Sequence, residues 1–230
     1  DHFDLQFARA KQTDLHGFPL MTFESAPDKV WHLFLKRILD LALSSIAFAV
    51  LLPFLLIITV LIKRTSKGPV FFKQERCGLN GRRFTLYKFR TMEVDAEKKL
   101  AELQRHNVMK GPAFKMENDP RVTPLGRVLR KLSLDELPQL WNVLTGDMSL
   151  VGPRPPIPKE VEQYDSWHRR RLSMRPGLTC LWQVNGRNKI TDFNQWMNLD
   201  LEYIDNWSLW LDLKIVFQTV PVVLLGHGAK

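Results

Sequence analysis

Between Asp40 and Lys63 the chain carries 22 consecutive residues without a formal charge, Leu41 to Ile62. As a helix rising about 1.5 Å per residue this run is about 33 Å long, close to the roughly 30 Å hydrocarbon core of a bilayer. A segment this apolar must be covered by lipid or by protein, so it limits the fold more than any other stretch. Pro53 interrupts it, leaving 12 residues before and nine after, and neither part alone crosses the core. A kinked spanning helix and a re-entrant helix-hairpin broken at Pro53 both stay open; a buried helix of a soluble core is a third reading. Lys36 and Arg37 precede the run and Lys63, Arg64 and Lys67 follow it, so both flanks read as cytoplasmic. About 40 polar and mixed residues come first, which argues against a cleaved signal peptide.

Thirty-three Lys and Arg against 24 Asp and Glu leave a net charge of +9, which calls for an anionic partner: nucleic acid, a membrane surface or a phosphorylated substrate. Residues 63–90 hold nine basic residues against Glu75 alone, nearly the whole excess. Such a strip can rest on anionic lipid and can also hold phosphate. Two cysteines, Cys77 and Cys180, exclude a disulfide scaffold, and the six histidines fall in no metal-ligand spacing. Any metal would be held by oxygen.

The chain divides into residues 1–30, a linker or the end of a preceding region; residues 31–67, the apolar membrane segment and its flanks; and residues 68–230, a domain expected at the membrane interface. Short β-prone pieces around Gly78, Asn80 and Gly81 predict a small β-hairpin, Val70 to Phe89. Residues 93–110 are charged and read as helical. Apolar residues recurring from Leu125 to Leu144 predict two short amphipathic helices broken near Ser133. Gly152 to Pro158 holds four prolines and must be loop. Trp182, Trp196, Trp207 and Trp210 fit either a headgroup-level surface or an aromatic core. The expected fold class is α+β, mostly helical, with interfacial amphipathic helices.

Ser133-Leu134-Asp135-Glu136-Leu137-Pro138 is the stretch with the most chemistry. A capping box from Ser133 to Glu136 would put Pro138 where a backbone N–H is needed, so the helix is expected to start at or just after Asp135, with both acids at its positive end. Two adjacent carboxylates can ligate Mg²⁺, or one can attack phosphorus; on a surface they are mere charge. Arg130 lies nearby and Arg154 sits inside Pro153-Arg154-Pro155, two guanidinium groups suited to phosphate.

The order KRILD, the proline-broken run, QERCGLNGRRF, YKFRTM, NDPRVTPLG, LRKLSLDELPQLWNVLTGDMSLVGPRP and RPGLTCLWQVNGRN resembles the bacterial sugar transferase family, the monotopic phosphoglycosyl transferases, over about residues 36–217. The resemblance implies that a sugar 1-phosphate passes from a UDP-sugar to undecaprenyl phosphate, releasing UMP, with Mg²⁺ as cofactor. It implies Asp135 as nucleophile and Glu136 as its catalytic neighbour, both near the metal, with Lys88, Arg154 and, less directly, Arg130 on phosphate. It implies a re-entrant apolar segment, membrane lipid as partner, the inner membrane with its cytoplasmic face as location, and polysaccharide assembly as the setting. Galactose and glucose are the expected sugars, a homodimer an expected assembly, and nucleic acid is not an expected partner. Cys180 stands where the family's motif has Gly. The competing classes are a membrane-anchored lipid- or nucleic-acid-binding module and a magnesium-dependent lipid phosphatase.

Overall fold

A computed structural model of the chain describes residues 9–15, 18–24, 27, 29–96, 116, 119–184 and 192–224. Its dominant element is α1, Val30–Thr65, a single 36-residue helix in which Pro53 is an internal residue. Leu, Ile and Ala supply good helix formers, no glycine interrupts them, and helices in apolar surroundings tolerate a proline. Lys63 and Arg64 lie in the last turn, where positive charge suits the helix dipole, and Ser66 ends the helix in extended backbone.

Within residues 1–30, expected as a linker or the end of a preceding region, an antiparallel hairpin forms from β1 (Arg9–Leu15) and β2 (Phe18–Glu24). The predicted second hairpin is present as β3 (Phe71–Cys77) and β4 (Arg83–Phe89). Its turn places Asn80 at φ 55° and Gly81 at φ 76°, left-handed positions that Asn and Gly adopt at least cost. The two amphipathic helices are α2 (Pro124–Lys131) and α3 (Gln139–Thr145), separated at Ser133, itself left-handed at φ 54°. Thr123 caps α2 by accepting the Gly126 N–H at 3.0 Å.

Beyond α3 come β5 (Ser149–Val151), the proline loop, α4 (Pro158–Glu162), a 3₁₀ stretch over Trp167–Ser173, β6 (Gly177–Thr179) parallel to β5, and helices α5 (Leu181–Val184), α6 (Phe193–Asp205) and α7 (Leu209–Leu224). The described residues are thus mostly helical with small two-stranded sheets. Trp196 and Trp207 are buried while Trp210 is exposed, so most of the aromatic density serves the core. The continuation of the charged stretch past residue 96, and residues 185–188 of the last motif, lie outside the described residues.

The two halves of α1 dock differently onto this body. Near its start, Lys36 Nζ donates to the Val151 carbonyl at 3.0 Å and to Asp212 on α7 at 2.6 Å, and Arg37 reaches the carbonyls of Val143 and Leu144 that end α3. The Asp40 carboxylate accepts the Leu150 N–H. Near its end, Leu55, Ile58 and Ile62 pack with Val70, Phe89 and Leu129. Trp31, Phe34, Ile38, Ile46, Val50, Phe54 and Ile57 stay exposed on its other faces.

Candidate active site

Opposite residues of an antiparallel pair share a face, so the register Phe72↔Lys88, Gln74↔Leu86 and Arg76↔Phe84 puts Gln74, Arg76 and Lys88 on one side of the hairpin. Helix α3 is fixed beneath it by Asn142, fully buried, whose amide donates to the Thr85 carbonyl at 2.8 Å and accepts the Tyr87 N–H at 3.2 Å. The Asn side chain thereby pairs the outer edge of β4 much as another strand would. That contact sets the turn just before α3 against the end of β4.

The turn is Leu134–Glu136, a single 3₁₀ turn, and the helix starts only at Gln139. The expectation of a helix beginning at or just after Asp135 is corrected here: Pro138 lacks an N–H and takes the cap position, and the α-helix starts past it, at Gln139. Ser133 makes no side-chain capping bond, so the capping box does not form. Asp135 thus precedes the first turn of α3, and its charge acts on Lys88 and Arg130. It is buried, and Glu136 meets Lys88 Nζ at 2.7 Å.

A narrow cleft is lined by Arg76, Lys88, Glu136, Gln139, Arg154 and Cys180. Burial pushes the Lys88 ammonium down from its usual range, Glu136 and Asp135 oppose that, and Arg154 adds to it. Arg130 stands on the Asp135 side, its Nε donating to Thr91 Oγ1 at 2.9 Å; burial lowers its pKa, and Asp135 is the largest influence against that lowering. The structure thus gathers Lys88, Glu136 and Arg154 in one cleft with Asp135 and Arg130 beside it. Pro53 lies in α1 and is not part of it.

The loop carrying Arg154 is clamped on two sides. Gly152 N donates to the Thr179 carbonyl and Gly177 N to the Pro153 carbonyl, at 3.0 and 2.9 Å. Cys77 N donates to the Pro156 carbonyl at 2.9 Å. The Arg154 guanidinium lies 6.0 Å from the centre of the Trp182 ring. Cys180 is a buried free thiol in the cleft wall, and burial raises its pKa well above the ordinary range.

Sequence reasoning missed Arg76, counting it only in the basic strip, and missed Asn142 and the buried Arg171–Asp200 ion pair at 2.8 Å. The i, i+2 spacing of Gln74 and Arg76 on a β-prone piece was the available signal for the first. Among the described residues no group of three His, Cys, Asp or Glu side chains converges as a metal cage. Asp135 and Glu136 still fit Mg²⁺, which takes one or two carboxylates and completes its shell with water and substrate phosphate. Arg76, Lys88 and Arg154 line the cleft with Glu136, and three cations there can neutralise a diphosphate.

Comparison with known proteins gives this chemistry a family. Galactosyl transferase CpsE of Streptococcus agalactiae serotype III (strain NEM316) is 50% identical over 214 residues, covering 93% of this chain and 47% of that protein. Exopolysaccharide production protein ExoY of Rhizobium meliloti (strain 1021) is 46% identical over 198 residues, covering 84% of this chain and 87% of ExoY. Undecaprenyl-phosphate galactose phosphotransferase of Salmonella typhimurium (strain LT2) is 42% identical over 200 residues, 85% of this chain and 42% of that protein. The chain therefore spans about half the length of CpsE and of the Salmonella relative. The family model for bacterial sugar transferases matches residues 31–226, from α1 through the Asp135 cleft to the end of α7, and with that match the chain belongs to the bacterial sugar transferase family.

Proposed function

We propose that this chain transfers a sugar 1-phosphate from a UDP-sugar to undecaprenyl phosphate, releasing UMP, as the first membrane step of polysaccharide assembly. The observation that carries the proposal is the buried Asp135 beside a cleft in which Lys88, Arg76 and Arg154 surround Glu136. An Asp135 carboxylate oxygen attacks the β-phosphorus, and the bond from that phosphorus to the bridging oxygen breaks, so that UMP departs with the electron pair. A phosphate oxygen of the lipid then attacks the same phosphorus and frees Asp135. Lys88 and Arg154 offset the charge that gathers on the departing phosphate, and Glu136 holds Lys88 in place. Mg²⁺ is the proposed cofactor, held by Asp135, Glu136 and substrate phosphate; when bound it supplies further neutralisation of phosphate charge. Galactose or glucose is the proposed sugar, in line with the galactose named in two relatives.

We place the active domain on the cytoplasmic face of the bacterial inner membrane, with α1 re-entrant. Docking of both halves of α1 onto the same body supports that topology, because a helix that crossed the bilayer would carry one end away from the body. Exposed apolar side chains along its other faces supply the surface that lipid covers.

The test is to incubate the protein with a UDP-sugar labelled in the sugar, omit the lipid, quench in acid and map the labelled peptide by mass spectrometry. Label is expected on the peptide containing Asp135, lost in Asp135→Asn and lost with a chelator. A protein that turns over with lipid present but never carries label on that peptide transfers directly, and Asp135 is then not the nucleophile. A lipid phosphatase would release sugar phosphate to water without needing a polyprenyl acceptor, and a binding module would release no UMP.

A further inference from the structure

Arg154 lies between two prolines whose carbonyls are both held. A backbone N–H, that of Gly177, takes the Pro153 carbonyl at 2.9 Å. A side chain takes the Pro155 carbonyl: Arg76 Nη1 donates to it at 2.8 Å. Arg76 is itself aimed by Gln74, two residues earlier on the same face of β3, whose Oε1 accepts from Arg76 Nε at 3.0 Å and from Nη2 at 2.5 Å. Pro153 and Pro155 each fix their own φ, and a residue before proline is restricted as well, so little freedom is left to the Arg154 backbone except through the carbonyls on either side.

We propose that Arg76 is a positioning residue for the phosphate-binding Arg154, with Gln74 aiming its guanidinium at the Pro155 carbonyl and β3 thereby setting where Arg154 points. The inference rests on the transferase reading of the cleft. Only a planar fork of N–H groups can grip Gln74 twice and still reach the carbonyl; a lysine ammonium offers its three donors from one atom. The placement sets two guanidinium groups against each other. Burial and the nearby Arg154 bring the Arg76 pKa down to about 10, with Glu160 and Glu136 only partly opposing. A cation whose work was packing alone would not be set beside another cation in a cleft; a diphosphate entering that cleft relieves the repulsion.

The deciding experiment is a double-mutant cycle in the full-length membrane protein, using Arg76→Met, Arg154→Met and the double variant, read in UMP release and in UDP binding by calorimetry. Arg76→Met is expected to lower kcat about 10–100-fold and to weaken the Kd for UDP about threefold, as displacing a phosphate ligand does. In the Arg154→Met background both effects shrink to within about twofold, because Arg76 has lost the group it positions. Arg76→Lys, which keeps the charge, and Gln74→Leu, which keeps Arg76, lower kcat in the same direction with thermal unfolding little changed. Full-sized losses from Arg76→Met in both backgrounds overturn the proposal, as does wild-type kcat in Arg76→Lys. If the wild type binds UDP yet turns over no UDP-sugar, the transferase reading fails while the cycle in Kd still decides Arg76. Absence of UDP binding by the wild type overturns both.

Discussion

Removing the ammonium of Lys36 and removing the carboxylate of Asp212 break the same ion pair, but the structure assigns them different costs. The pair spans 2.6 Å with both residues buried, at 6% and 8% exposure. Lys36→Met leaves Asp212 with two donors, the Tyr203 hydroxyl at 2.7 Å and the Trp207 indole N–H at 3.2 Å. Its cost is one charge-assisted hydrogen bond plus part of a desolvated charge, roughly 2–3 kcal/mol. Asp212→Asn leaves a buried ammonium with neutral acceptors alone, the Val151 carbonyl and the new amide oxygen, and a buried charge stripped of its countercharge costs about 3–5 kcal/mol. For a chain of this size each kcal/mol moves Tm by about 2–4 °C, so Asp212→Asn should lower Tm by roughly 6–20 °C and Lys36→Met by less. The double variant removes both charges and should cost less than the sum by about 2 kcal/mol. Thermal unfolding in lipid nanodiscs, followed by Trp fluorescence, measures all three. Equal shifts from the single variants, or strict additivity in the double, would refute the reasoning from residual donors.

Gly177→Ala would set a Cβ 2.0 Å from Gly152 N and 2.5 Å from the Thr179 carbonyl, both backbone, so the chain must move. Sugar-phosphate transfer should fall at least tenfold and stability by about 1–3 kcal/mol, read by UMP release and thermal unfolding. Asp200 has its pKa raised to about 6 by burial, with Arg171 and Arg154 opposing. The folded state then binds this proton more tightly than the unfolded state, so its contribution to stability falls as pH rises from about 4 to about 6 and is level above that. Asp200→Asn removes this slope; a wild-type-minus-variant difference in urea midpoint that does not change across that window sinks the assignment.

Local chemistry made several elements readable before any coordinates. The hairpin announced itself through β-prone runs around Asn80 and Gly81, and Leu125 to Leu144 through helical spacing with a break that Ser133 supplies by turning left-handed. Lys88, Glu136 and Arg154 were brought to one site by the family resemblance alone; residue chemistry showed them only as charges, because their meeting depends on β-register and on Asn142 joining α3 to β4 across more than 50 residues. The start of α3 was misplaced for a local reason: two acids and a helix dipole argue for Asp135, but the missing N–H of Pro138 decides. Arg76 escaped notice because a cation in a strip of nine looks like any other until a loop brings Pro155 to it.

The re-entrant topology proposed for α1 rests on where its contacts lie. A 36-residue helix is about 54 Å long, more than a bilayer core, and a spanning helix has at most one end at a given surface. Here Lys36, Arg37 and Asp40 bond to β5, α3 and α7, whereas Leu55, Ile58 and Ile62 pack on the β3–β4 hairpin and α2. Those five partner regions form one body, tied by Asn142 between α3 and β4, by Leu129 of α2 packed with Phe89, and by the Tyr203 hydroxyl, which donates to the Val151 carbonyl and to Asp212. Pulling either half of α1 through the membrane would expose Lys36 to hydrocarbon or strip Ile62 and Phe89 of their cover, at several kcal/mol in each case. Shallow insertion, as proposed above, costs neither, and under that proposal the Asp135 cleft would lie near the headgroups, within reach of the phosphate of a lipid acceptor. Single cysteines placed at His32 and at Lys67 should both react with an impermeant maleimide only from the cytoplasmic side, in inverted vesicles and not in intact spheroplasts. Reaction of His32→Cys from the periplasm while Lys67→Cys stays cytoplasmic would make α1 a spanning helix and detach its first half from the body described above.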